Sequence, residues 1–213
     1  MGAELHAGNT FVLDLSKTNP KLNEVDFVNN QNFIKHIERQ MEENKAMFAV
    51  GGYGENRQIY SRSQVFAQAS MDYRNIHLGI DIWTAAGHPV YCPVGGLIHG
   101  FKDNIGFGNY GPTVILEHRL HNDIIIYSLY GHLSRRDLAN LAIGKKIRQG
   151  EKIGHLGSTE ENGGWPPHLH FQLIRNLQDY HGDYPGVCGE KDKTYYLSNC
   201  PDPNIWLGCP LLK

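Results

Sequence analysis

The stretch PHLHFQLI, residues 167–174, decides the reading of this chain. Apolar and polar residues alternate through it, the pattern of a strand with one face turned to a core. His168 and His170 then share one face, while Leu169 and Phe171 point into a core. Ninety residues earlier stands HLGID, residues 77–81, in which Gly79 is expected to let the backbone turn so that His77 and Asp81 face one point. A fourth histidine, His132, closes the apolar run IIIYSLYG in YGHL. Imidazole nitrogen and carboxylate oxygen suit a borderline cation such as zinc, and a catalytic zinc site uses three protein ligands with one position open. His77, Asp81 and His170 are read as those ligands. His132 and His168 remain as imidazoles suited to moving protons near neutral pH. Any one of these histidines alone would more often be an ordinary core residue; the set agrees in ligand type, spacing and strand context.

The rest of the composition narrows the field. The chain has 213 residues, enough for one domain with appendages, and 20 basic residues against 22 acidic ones. That balance gives no basic surface to suggest a nucleic acid and no charge run to suggest a disordered tail. No apolar run reaches the roughly 18–20 residues of a membrane span. The first twenty residues include Glu4 and no sustained apolar region, so a cytoplasmic address is expected, or a secreted or periplasmic one if a signal has been removed. Cys92, Cys188, Cys200 and Cys209 form no Cys-x-x-Cys pair, which argues against a structural zinc knot. Free thiols are expected, with pairing among the last three as the lesser alternative.

Residues 24–48 carry the clearest helical signal, with Phe33, Ile34, Ile37, Met41 and Met47 as the packing stripe. From Arg57 to about Arg175 the chain consists of short β-prone runs broken by Gly, Pro, Asn and Asp. A short helix is expected at 135–141 with Ser134 as its N-cap. Gly87–Ile98 and Gly144–Gly154 resemble each other loosely, as a short internal repeat would. The C-terminal segment is rich in Pro, Gly and Cys, with Tyr195, Tyr196, Ile205 and Trp206 as its expected anchors. The expected fold is mainly β, an antiparallel sandwich or open barrel with an N-terminal helix and an irregular C-terminal arm. The divisions are 1–56, 57–178 and 179–213.

HLGID, GHPVYCPVGGLI, GFGNYGPTVILEH, LYGHL, IGKKIRQGEKIGHLG and PHLHFQL occur here in one order over about residues 75–173. In this the chain resembles the lysostaphin-type, LytM-like zinc metalloendopeptidases of bacteria. The resemblance implies the duplicated-hybrid β fold with a groove across its sheet. It also implies one zinc per chain on His77, Asp81 and His170, with His132 and His168 catalytic. The implied reaction is hydrolysis of peptide bonds, typically in the crosslinks of peptidoglycan. Tyr73, four residues before His77, is a candidate for bonding the oxyanion. Trp165, in ENGGWPPHLHF, is either a groove wall or a clamp on its loop. The flanks, among them DLS, GGYGEN, DYPGV and CPDPN, resemble a branch found fused to class-III aminotransferases and a small-molecule kinase. That likeness implies a pathway partner of this kind and an intracellular peptide or small amide as substrate. A non-catalytic carrier or binding module of the same fold is the alternative from another class. Glu55 and Arg57 are read as a surface ion pair before any contact with substrate.

Overall fold

The computed structural model describes residues 5–27, 29–57, 59–62 and 73–212. In chain order the strands are β1 (Thr10–Val12), β2 (Phe48–Gly51), β3 (Ile76–His77), β4 (Ile80–Trp83), β5 (Pro89–Tyr91) and β6 (Gly96–Asn104), followed by β7 (Gly111–Arg119), β8 (Ile125–Gly131), β9 (Lys146–Ile147), β10 (Lys152–His155), β11 (His168–Ile174) and β12 (Val187–Cys188). The helices are α1 (Asn30–Glu43), α2 (Arg135–Leu138), α3 (Lys193–Asn199) and α4 (Asn204–Leu207). Eight strands form one sheet in the order β1-β2-β4-β11-β8-β7-β6-β9, and β10-β5 and β12-β3 form two-stranded sheets. Among the described residues the large sheet keeps two edges, so it is open and not a closed barrel. Every pair in it is antiparallel except β1 with β2, which is parallel.

The alternation read from the sequence sorts the core. Ile80, Ile82, Leu169, Phe171 and Leu173 turn to one face and join Val114, Leu116 and Tyr130 in the largest buried cluster. The intervening residues turn the other way. There Ile115, Leu129 and Ile174 pack on Cys188 and Cys200 of the C-terminal arm, and Trp83 packs on Phe33 and Ile37 of α1. Both faces of the sheet centre are therefore covered, one by the main core and the other by α1, the C-terminal arm and the buried polar residues Asp81, His168, His170 and Gln172.

The helix is shorter than the sequence pattern predicts. Asn29 accepts the N–H of Gln31 at 3.0 Å and starts α1 five residues inside the expected range; Val28 lies outside the described residues. At the other end Lys45 takes φ 49° and the chain passes into β2, leaving Met47 exposed. At α2 the side chain of Ser134 makes no cap bond; Glu161 accepts the N–H of Arg135 at 2.8 Å in its place. The two similar segments pair with each other: β5 lies against β10, and Gly96–Leu97 of β6 lies against Ile147–Lys146 of β9. In the C-terminal arm Tyr195 and Ile205 are exposed, contrary to expectation, because α3 and α4 turn them outward. Tyr184, Val187, Cys188, Cys200, Leu207 and Cys209 are the buried anchors, with Tyr196 and Trp206 packed beside them. All four cysteines are free and buried.

Candidate metal centre

Four residues stand in one row across the sheet. Gly51 of β2 pairs with Asp81 of β4, Asp81 with His170 of β11, and His170 with Gly131 of β8. Two rows along, on the same face, Trp83 pairs with His168, and their rings stack with centroids 5.6 Å apart. His77 comes from β3, held by β12 through its pairing with Val187. The chain bends at Gly79, as expected, though without a positive φ. A Cβ there would lie 2.7 Å from His170 Cε1 and 2.7 Å from the Phe171 carbonyl, so glycine is needed for close approach.

His77 Nε2, Asp81 Oδ1 and His170 Nδ1 converge. Their separations are 2.9 Å between the two nitrogens, 3.1 Å from His170 to Asp81 and 3.3 Å from His77 to Asp81. The far nitrogen of each imidazole is already committed. His77 Nδ1 faces the Gly52 carbonyl at 2.9 Å, and a carbonyl only accepts, so Nδ1 carries the proton. His170 Nε2 faces Gln172 Oε1 at 2.9 Å. The Gln172 amide is fixed in that sense because its Nε2 donates to the Pro185 carbonyl at 3.1 Å. Each neutral ring therefore turns a lone pair inward, toward the other and toward a carboxylate oxygen. Burial, with Arg57 adding to it, pushes His77 down to about 3, so its Nε2 carries no proton at neutral pH. Burial alone would raise the Asp81 carboxyl, but His77 and Arg57 beside it hold it well below its usual range. Three buried acceptors facing one another need a cation between them. Two imidazoles and one carboxylate oxygen, spaced near the about 3.3 Å edge of a tetrahedron with 2.0–2.1 Å bonds, fit zinc.

His132 and His168 lie beside this group with ring centroids 4.2 Å apart. His132 sits just past β8 in the left-handed region, φ 62°, its Nδ1–H given to the Asn162 carbonyl at 2.8 Å. His168 gives its Nδ1–H to the Pro166 carbonyl at 2.7 Å, and its Nε2 is 3.8 Å from Asp81 Oδ1. Burial lowers both imidazoles below their ordinary range, well below it for His132, where His168 and His170 add to the effect. Both are thus neutral near pH 7 with Nε2 able to accept a proton.

A cavity of about 220 Å³ opens over these residues. Trp165 lines it and also clamps its loop, donating Nε1–H to the Asn109 carbonyl at 3.0 Å, so both expected roles fall on one side chain. Tyr73 is 39% exposed and is not among the lining residues. Tyrosines beside the site include Tyr110, with its ring 5.2 Å from His170 and 5.6 Å from His132, and Tyr60, 6.4 Å from His77. Arg57 is buried, not at the surface: it bonds Asp81 Oδ2, Glu55 and Tyr60. Asn162 is a further residue the sequence reading missed. Fully buried, it takes the Trp165 N–H at 2.9 Å and returns a bond to the Trp165 carbonyl at 3.0 Å, fixing the loop that meets His132.

Residues 75–181 match the sequence pattern described as peptidase family M23, half of the chain and all three candidate ligands. The chain belongs to this family. Over 100 residues it is 33% identical to a peptidoglycan DD-endopeptidase, ShyC, of Vibrio cholerae; the match covers 47% of this chain and 20% of that protein. The chain thus spans about a fifth of the curated relative it matches. Among solved structures, the catalytic domain of lysostaphin from Staphylococcus simulans is similar at 21% identity, covering 80% of this chain and 96% of that one, with a TM-score of 0.48. A zinc-containing peptidase from Vibrio cholerae is similar at 23% identity, covering 50% of this chain and 29% of that one, with a TM-score of 0.38. The M23 match ends seven residues past β11, so β1, β2 and α1 lie outside it, as do β12, α3 and α4.

Proposed function

We propose that this M23 chain is a zinc-dependent peptidase that hydrolyses an amide bond in a peptide of the peptidoglycan kind. The observation that carries the reading is the pair of inward lone pairs on His77 and His170, each enforced by an outward N–H bond, beside Asp81 Oδ1. His77, Asp81 and His170 would hold the zinc, which would lower the pKa of a bound water to about 7 and polarise a carbonyl. The chain's own residues supply the rest. His132 and His168 share the proton work: one takes a proton from the attacking water, and the leaving amine receives it as the C–N bond breaks. Stacking on Trp83 and the bond to Pro166 keep His168 Nε2 aimed at the site. Trp165, Trp83 and Tyr110 wall the cavity and limit its water, which strengthens every charge interaction inside it.

The peptidoglycan substrate is supported by the name of the Vibrio cholerae relative and the family match. The flanking segments that resemble the aminotransferase-fused branch support a soluble peptide or small amide, and four free thiols suit a reducing compartment. Both arms are tested together. The zinc-loaded chain is incubated with purified peptidoglycan and, separately, with a library of soluble di- and tripeptides, and products are identified by mass spectrometry. Cleaved crosslink peptides support the proposal. Cleavage of soluble peptides alone keeps the hydrolase and changes its substrate, and no cleavage in either arm overturns the reading.

A further inference from the structure

The metal centre extends beyond the part of the chain that matches M23. Residues 52–60 precede that match, yet they make the outer contacts of two of the three ligands. Gly52 supplies the carbonyl that fixes His77. Arg57 Nη1 donates to Asp81 Oδ2 at 2.5 Å and to the Tyr60 hydroxyl at 3.1 Å, and its Nε donates to Glu55 Oε2 at 2.5 Å. Glu55 is tied in turn, its Oε1 accepting the Leu15 N–H at 3.0 Å. The guanidinium lies 5.7 Å from the centroid of Trp83, the residue that also supports His168. Gly52 makes room for it: at φ 103° a Cβ would fall 1.8 Å from Arg57 Nη2.

Given the metal centre proposed above, we infer that Arg57 is the positioning residue for Asp81. A free carboxylate can turn about its Cβ–Cγ bond and offer a metal either oxygen or both. With Oδ2 held by Arg57, Asp81 presents Oδ1 alone, toward His77 Nε2 and His170 Nδ1. Glu55 fixes Nε, so the planar fork has one orientation, and Nη1 is aimed at Asp81. Lysine keeps the charge and loses the fork. An ion pair this buried gives little net stability by itself, because its desolvation offsets the attraction. Partners one layer behind a metal ligand set that ligand's orientation and basicity. The segment before the M23 match therefore carries part of the metal site and does more than pad the sheet edge.

The test measures zinc affinity of the full chain by competition with a chromophoric chelator, and the visible absorption of the cobalt(II)-substituted protein. Arg57→Lys is expected to weaken zinc binding about 10–100-fold and to shift the cobalt bands as Asp81 changes its mode of ligation. Tyr60→Phe removes one acceptor but leaves the Asp81 bond, and should stay within about threefold of wild type, below the usual effect of losing a ligand's own partner. A folded Arg57→Lys protein with wild-type affinity and spectrum overturns the inference. So does a Tyr60→Phe protein affected as strongly as Arg57→Lys, since that marks general loosening. If Arg57→Lys does not fold, Glu55→Gln decides: a smaller loss with the same cobalt shift supports the role, and unchanged values overturn it. A wild-type chain that takes up no zinc overturns the metal reading itself, a result distinct from all of these.

Discussion

His132 pays a backbone cost to stand where it does. A non-glycine residue at φ 62° is uncommon, and the strain is held by its own N–H to the Tyr110 carbonyl at 3.0 Å and its carbonyl to the Gly157 N–H at 2.9 Å. Its partner His168 is fixed by Trp83 on one side and Pro166 on the other. In the proposed site neither histidine is one of the three ligands. His132→Ala and His168→Ala are therefore expected to keep zinc near the wild-type level and to lose about 10²–10⁴-fold in peptide hydrolysis. Metal analysis beside a peptide-cleavage assay checks this, and loss of zinc from either variant would make that histidine a ligand. The five candidate residues were readable as a set and not one by one, because ligand type, spacing and two-residue alternation had to agree. Gln172 continues the same alternation and was within reach of that logic. Arg57 was not, since its partner Asp81 is 24 residues away and the contact exists only once β2 pairs with β4.

At the scale of elements, the row Gly51–Asp81–His170–Gly131 sets two ligands between two glycines. The space beside His170 is filled by Tyr110: a Cβ on Gly131 would lie 2.7 Å from its Cδ1. Gly79 guards the other approach: a Cβ there would lie 2.7 Å from His170 Cε1 and 2.7 Å from the Phe171 carbonyl of β11. The backbone contact cannot swing aside, so Gly79→Ala has to displace β3, β4 or the His170 ring. Overpacking of this kind typically costs about 1–3 kcal/mol. The variant is expected to melt lower than wild type and to bind zinc at least about 10-fold more weakly, as a disturbed ligand does. Calorimetry and chelator competition read the two effects, and a variant unchanged in both would refute the close-approach role. Sequence periodicity located the strands well where both faces are apolar. It ran past the ends of α1, because Asn29 and Lys45 end the helix through backbone geometry that hydrophobic spacing does not record. The two similar segments gave no sign that they would pair with each other, since pairing depends on partners some sixty residues apart.

Over the whole molecule, buried imidazoles couple folding to pH. Burial lowers His36, His77, His118, His132 and His168 from their ordinary value. In the unfolded chain each takes a proton below about pH 6.5, while the folded chain resists it, so the unfolded state binds more protons and stability falls as pH falls. The loss begins near pH 6.5 and for His77 continues toward its folded value of about 3. Chelator-treated protein should therefore show a level Tm above about pH 7 and a falling one from there to pH 5. A Tm that rises on acidification over this window would contradict the burial of these rings. The M23 match, the sheet register and the committed N–H groups of His77 and His170 all meet at one point. The direct measurement there is a crystal structure of the zinc-soaked chain with anomalous difference maps on both sides of the zinc absorption edge. One peak is expected about 2.0–2.2 Å from His77 Nε2, Asp81 Oδ1 and His170 Nδ1 together. A zinc peak bound elsewhere, or none at this point in a crystal that holds zinc, would contradict the metal centre and the peptidase built on it.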